Sequence, residues 1–315
     1  MASEARDRLG LWLMATPFLV GAAVLVIGPA IGTVALALFE WDLVTHARFV
    51  GLGNVRALAD DRVFAIALGN SLAYAGISVP IRVLAAVALA SLLWRRRRGT
   101  GVARASVFAA SVVPDVALAA AWLWILNPLY GPLNLALEAV GSPTPSWLTE
   151  PTPARWAIVL IGVFQIGEGF AIALAARRSV PRELEDTAAA AGAGPWGTYA
   201  RVVLPAMGPA LLLLAARDTV AGLQITLVPA LVVTDGGPPP YATTYLPVFI
   251  YREAFEYLRF GTAAAATVVL LLVTAAALWL QYVALARMHI WMPWRDDERP
   301  GAGAARVSGG RGRAA

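Results

Sequence analysis

Cysteine is missing from all 315 residues, and with it go disulfides, iron–sulfur clusters and thiolate metal sites. Lysine is missing too: each of the 25 basic residues is arginine. A phosphate-binding loop that ends in lysine, and hence a nucleotidase built on one, is therefore excluded, as is a lysine Schiff base. Histidine occurs only as His46 and His289, far apart and on polar flanks, so no metal site is expected. Charged residues make up only 14% of the chain, whereas hydrophobic residues make up 59% and mean hydropathy is +0.66. This composition belongs to an integral membrane protein. No nucleophile–base pair stands at a consistent depth, so neither enzymatic chemistry nor a cofactor is expected. A pI near 10.0 would suit a nucleic-acid binder, but membrane topology accounts for the arginines, and no nucleic-acid partner is expected.

Apolar runs long enough to cross about 30 Å of hydrocarbon lie near 9–39, 64–94, 105–126, 156–176, 206–233 and 261–286. They predict an all-α, polytopic fold with six transmembrane helices. The first run extends far beyond the length of a signal peptide and reads as a retained helix, bent at Gly28-Pro29. With the N-terminus in the cytoplasm, only Arg48, Arg56, Arg62, Arg155, Arg252 and Arg259 fall on outside segments, while 17 arginines fall on inside ones. That asymmetry places both termini in the cytoplasm. Residues 1–8 form a short cytoplasmic lead, 9–287 the six-helix domain, and 288–315 a polar tail expected to be disordered. The Arg95–Arg98 run reads as an anchor that stops transfer.

One connection has its own grammar. Residues 180–205 read VPRELEDTAAAAGAGPWGTYARVVLP. Pro181 suits the start of a helix, and Glu183, Glu185 and Asp186 cluster near its positive end. Ala188 continues that helix, Gly192 and Gly194 break it, and Pro195 opens another. Trp196, Tyr199 and Val203 have helical spacing, and Leu204-Pro205 leads into the next apolar run. The pattern predicts two short helices with a glycine bend, displayed on a membrane surface and suited to a partner's cleft. Gly192, Gly194 and Gly197 also spell G-x-G-x-x-G. A dinucleotide fingerprint needs a preceding strand, and here an alanine-rich helix precedes it.

The stretch resembles the cytoplasmic coupling loop, the EAA loop, of ABC importer permeases. Pro181, Glu183, Leu184, Gly192-Ala193 and Leu204-Pro205 match the pattern. Asp186 replaces its glutamate, Thr187 one of its alanines, and Ala191 an aspartate. The likeness continues elsewhere. Phe39 and Trp41 close the first span as in sugar permeases, and FVGLGNVRAL (49–58) resembles their G-L-x-N segment. Trp122, Asn127-Pro128, Gly131 and Asn134 resemble the exit of the third span. Thr234-Asp235-Gly236-Gly237-Pro238 resembles T-x-G-G-P, and Tyr251, Ala254-Phe255 and Gly261 resemble the entry to the sixth. The resemblance implies a type I ABC importer permease fold of the carbohydrate-uptake kind, in the maltose and glycerol-3-phosphate group. It implies a second permease subunit making a heterodimer, two ATP-binding subunits, and an extracytoplasmic solute-binding protein. ATP would be hydrolysed by the partners. The coupling residues it implies are Glu183, Asp186, Ala188, Gly192, Trp196, Tyr199 and Pro205.

Arg82, Asp115, Glu168, Arg217 and Asp218 are charged residues deep within the spans, all roughly 14–20 Å from the cytoplasmic ends. They read as an interhelical ion-pair layer, with direct substrate contact as the alternative. Gln165 in the fourth span and Thr219, Gln224 and Thr226 in the fifth offer hydroxyl-compatible hydrogen bonding beside glycines, and Gly222 with Pro229 suggests a bent or discontinuous fifth helix. These four are the candidate substrate path, with Thr219 and Thr226 expected on one face, although small polar residues also serve ordinary helix packing. Cargo alternatives are a neutral sugar and an anionic derivative such as glycerol-3-phosphate. A stand-alone secondary transporter, with Asp115 and Glu168 relaying protons, is the alternative of a different class.

Overall fold

The computed structural model describes residues 2–287 except Leu43, Thr45, Ile225, Pro239 and Pro240. The expected tail, 288–315, and His289 lie outside the described residues. A helical rod opens the chain: α1 (Ala2–Ala22), a π turn (Ala23–Ile27) and α2 (Gly28–Leu36). Where a bend is expected, at Gly28-Pro29, the helix carries that π turn, and Trp12–Leu36 remains one span. Gly28 N–H donates to Ala23 O, five residues back, and Pro29 has no N–H with which to restore the regular ladder. Two-residue strands β1 (Phe39–Glu40) and β2 (Arg48–Phe49) then pair antiparallel, so the fold is not strictly all-α. Phe39 meets Phe49 edge to face at 5.4 Å. Asn54, from the G-L-x-N segment, donates to Ala37 O and Phe39 O at 2.9 Å each, which ties the hairpin to α3 (Gly53–Asp60).

The long helix α4 (Arg62–Leu93) is capped by Asp61, whose carboxylate accepts from Val63 and Phe64 N–H. It is the central post, and α8 (Pro151–Phe164), α9 (Gly167–Ser179), α13 (Gly208–Gln224) and α15 (Leu246–Tyr251) all pack on it. The expected third span, 105–126, is not one helix. It divides into α5 (Thr100–Ala109) and α6 (Asp115–Ile125). Pro114 forces the preceding residue out of the helical region and cannot donate. After α7 (Pro132–Ala139), α8 and α9 are bent by 47° across Gln165 and Ile166.

The 180–205 connection forms α10 (Arg182–Ala190), α11 (Pro195–Thr198), a π turn (Tyr199–Val203) and α12 (Leu204–Ala206). The segment Pro195–Ala206 meets α13 at 67°. The expected fifth span, 206–233, is likewise interrupted, with α14 (Leu227–Thr234) following α13. The break falls after Gln224, not at Gly222, which sits inside α13 against Tyr74, Ala75 and Val79 of α4. The last helix is α16 (Phe260–Arg287), whose Ala264–Ala266 run packs beside Leu246, Phe249 and Leu223. By length and composition three helical segments can cross a membrane uninterrupted: Trp12–Leu36, Arg62–Leu93 and Phe260–Ala284. The two bent pairs raise the count to five. None of the apolar window in Trp12–Leu36 is buried within the chain.

Candidate functional site: a charged cavity joined to an exposed helical loop

The breaks in the third, fourth and fifth expected spans converge. A cavity of about 300 Å³ is lined by Tyr74, Arg82, Ser111, Asp115, Gln165, Glu168, Arg217 and Thr226, among others. Each interruption brings polar groups to depth. Ser111 stands between α5 and α6, Gln165 between α8 and α9, and Thr226 between α13 and α14. Irregular backbone is tolerated at bilayer depth where it lines a cavity or is enclosed by protein. Asp115 and Glu168 occupy the first turns of α6 and α9, where the helix dipole favours a carboxylate. Gly167 lets α9 start here. A Cβ on it would meet the Val107 carbonyl at 2.7 Å and collide with Ser111 Oγ.

The ion-pair layer exists, but its wiring is particular. Asp218 Oδ1 accepts from Arg82 at 3.3 Å and from Arg217 at 2.9 Å, and Arg217 also pairs with Glu168. The Arg82 and Asp218 side chains are 9% and 2% exposed, whereas Arg217 is 33% exposed and Glu168 53%. Thus α4, α13 and α9 are joined through charge. Asp115 departs from expectation: its partner is Gln165 Nε2 at 3.0 Å, and it makes no ion pair among the described residues. Among the described residues, Ser111 Oγ, Thr226 Oγ1 and Arg82 Nε are buried at the cavity without a hydrogen-bond partner.

Only two of the four expected path residues share this cavity, Gln165 and Thr226. Thr219 is turned away. Its hydroxyl donates to Ala215 O and accepts from Gln281 of α16. Gln224 lines a different, apolar groove beside Val34, Tyr251 and Leu271. Tyr74 and Ser111 were not singled out from sequence. The signal available for Ser111 was its place just before Val-Val-Pro-Asp in an otherwise apolar run.

The exposed loop leaves from the far end of α9. There α10 ends in a Schellman motif: Gly192 N–H donates to Ala189 O and Ala193 N–H to Ala188 O, with Gly192 at φ +85°. Glu183, Asp186, Gly192 and Trp196 are exposed, and Ala188 and Pro205 are half-buried. Trp196 stacks on Tyr199 at 5.9 Å, while the Tyr199 hydroxyl reaches Ser91 of α4 at 2.7 Å. Trp196, Tyr199 and Val203 run from exposed through half-buried to buried, because the π turn at Tyr199–Val203 shifts the helical register. Glu185 has a role that sequence did not assign. It receives a two-pronged ion pair from Arg177 of α9 at 2.9 and 3.1 Å, and Arg177 lies over the Trp94 ring at 3.8 Å. So α9 carries Glu168 of the cavity at one end and the anchor of α10 at the other.

Residues 82–290 match the family described as binding-protein-dependent transport system inner membrane component. The chain belongs to that family and is a permease component of an ABC transporter. It is 26% identical to the probable ABC transporter permease protein YesP of Bacillus subtilis (strain 168), over 86% of this chain and 88% of that one. It is 30% identical to the sn-glycerol-3-phosphate transport system permease protein UgpA of Yersinia enterocolitica, over 75% and 80%. It is 28% identical to the trehalose/maltose transport system permease protein MalF of Thermococcus litoralis, over 79% and 83%. Its fold is that of a chain in a bacterial alginate ABC transporter crystallised with an alginate-pentasaccharide-bound periplasmic protein. The TM-score there is 0.77 at 20% identity, covering 91% of this chain and 98% of that one. Family membership removes the stand-alone secondary transporter.

Proposed function

We propose that the chain is one of two different permease subunits of a sugar importer. In this reading it crosses the membrane six times with both termini in the cytoplasm. Segment α5–α6 counts as one broken crossing, and the 180–205 loop docks on one of two ATP-binding subunits. The chain itself hydrolyses nothing. An extracytoplasmic solute-binding protein delivers cargo, which passes the cavity at Gln165 and Thr226. The observation that carries the reading is continuity: α9 joins the cavity's Glu168 to the anchor of the exposed loop, a direct connection between the two that coupling would use.

The cargo reading rests on charge. Arg82 and Arg217 are both engaged by carboxylates, and Asp115 adds a further negative group to the wall. The wall thus holds no surplus positive charge for a phosphate, while Ser111, Thr226 and Gln165 suit hydroxyl groups. The similarity to a glycerol-3-phosphate permease supports the second reading, an anionic cargo. The test uses the reconstituted transporter with its binding protein and measures ATP hydrolysis against a panel of neutral saccharides and sugar phosphates. Stimulation by a neutral saccharide is expected. Stimulation by sugar phosphates alone would replace this reading with the second.

A further inference from the structure

The transport cavity leaves unexplained a second pocket, at the opposite end of α9. It has a volume of about 740 Å³ and is lined by Trp94, Arg95, Arg96, Arg97, Arg178, Arg182, Glu185 and others. Three guanidinium groups gather on one indole. Arg177 lies over the Trp94 ring at 3.8 Å, Arg95 at 4.9 Å and Arg182 at 5.9 Å. Of these three, Arg177 alone has a counter-charge among the described residues, Glu185. Among the described residues no carboxylate comes within ion-pair distance of Arg95, Arg96, Arg97, Arg178 or Arg182. Asp186 is the other acid on the wall, and Glu185 is already engaged.

The cluster is also built in place. Arg104 of α5 donates to the Leu93 and Arg95 carbonyls, at 2.8 and 2.9 Å respectively, which holds the turn that presents Arg95 to Arg97. Like charges so gathered repel one another, and a shared anion relieves the repulsion. The neighbouring surface is apolar. Leu92 near the end of α4 and Val102 in the first turn of α5 are both 74% exposed. A polyvalent cationic pocket beside exposed aliphatic side chains, at the end of membrane-spanning helices, matches a molecule with an anionic phosphate head and an acyl body.

We propose that this pocket binds the phosphate headgroup of an anionic phospholipid, and that the bound lipid braces the start of α10 through Arg182. The site rests on the reading that this end lies at the cytoplasmic boundary. Arginine recognises the phosphate by charge-assisted hydrogen bonds, and Trp94 supplies the flat interfacial platform.

The test uses the assembled transporter in nanodiscs of phosphatidylcholine mixed with phosphatidylglycerol, with retained lipid read by native mass spectrometry. Preferential retention of phosphatidylglycerol is expected. The paired change Arg95→Gln with Arg182→Gln should weaken it roughly tenfold, and Arg56→Gln, an exposed arginine far along the chain, should leave it unchanged. Equal retention in the paired variant and wild type overturns the site. Loss of the ATP-binding subunits with retention unchanged also overturns it, and assigns the arginines to that interface. Thermal stabilisation by inorganic phosphate in phosphatidylcholine alone, abolished in the paired variant, would make free phosphate the ligand and overturn the lipid assignment. Sidedness is read separately, by labelling Gly101→Cys, an exposed position where a Cβ meets nothing within 4 Å, with an impermeant reagent in sealed vesicles. Labelling from outside would overturn the topological reading without bearing on retention.

Discussion

Asp218 has two guanidinium partners, and they are not equivalent. Arg82 is nearly as buried as Asp218 itself, whereas one-third of Arg217 is exposed and it divides its charge between Asp218 and Glu168. Removing one member of a buried ion pair strands the other, at a cost of roughly 3–5 kcal/mol. An exposed pair contributes far less. Arg82→Gln is therefore expected to destabilise the folded subunit much more than Arg217→Gln, because Asp218 keeps a buried partner in the second variant. Adding Asp218→Asn to Arg82→Gln should recover a large part of the loss, since the neutral pair leaves no stranded charge. Thermal unfolding of the detergent-solubilised variants measures this. Equal losses for the two arginine variants, or additive losses in the pair, would show that Asp218 does not depend on Arg82. Composition and depth placed all five charges in one layer, but pairing depends on side-chain direction across three helices, which no one helix's spacing encodes. Asp115 shows this: depth grouped it with the arginines, and the structure hands it to Gln165.

At the scale of elements, α10 and its stop were readable because the connection carries strong local chemistry. Proline, clustered acids and glycines stand out in a chain otherwise rich in alanine and leucine. Gly192 is required by conformation rather than by crowding. Its φ is +85°, and a Cβ there would meet nothing within 4 Å. A β-branched residue is disfavoured in this region, whereas asparagine tolerates it. Gly192→Val is expected to insert normally yet lose most substrate-stimulated ATP hydrolysis, because the Schellman stop fails and α11 is misdirected. Gly192→Asn should keep most of it. If Asn and Val impair coupling alike, the side chain obstructs a partner surface and the backbone argument is wrong. The breaks inside the expected third and fifth spans were harder to read. Pro114 marks one, and Pro229, in the first turn of α14, marks the other; what the sequence did not show is that the break falls after Gln224 and not at Gly222. The seven-residue spacing of Thr219 and Thr226 implied a shared face only if one helix ran through both. The break resets the phase, so Thr226 faces the cavity while Thr219 binds Gln281.

On the scale of the whole molecule, α9 and α13 connect the cavity to the loop. Each reaches from the cavity toward the exposed loop, and Glu168–Arg217 couples them at the cavity while Arg177–Glu185 fixes the loop's first helix. If cargo occupies the cavity, its shadow must fall on the residues that line it and not on near neighbours in sequence. The complete absence of cysteine makes this measurable without background. Single substitutions Gln165→Cys, Thr219→Cys, Gln224→Cys and Thr226→Cys, each in a transporter proven active, would be labelled by a water-soluble thiol reagent with and without transported sugar. A cysteine at 165 should be reached from water and protected by sugar; one at 226, which lines the cavity but is only 4% exposed, should label more slowly and lose that labelling when sugar is present. A cysteine at 219, buried beside α16, should label slowly in both conditions, and one at 224 should not respond to sugar because it lines the apolar groove. The contrast between 219 and 226 is the discriminating result, since a continuous helix would place them together. Protection at 219 and 224 with none at 165 and 226 would move the path to the face of α13 toward α16 and remove the cavity from transport.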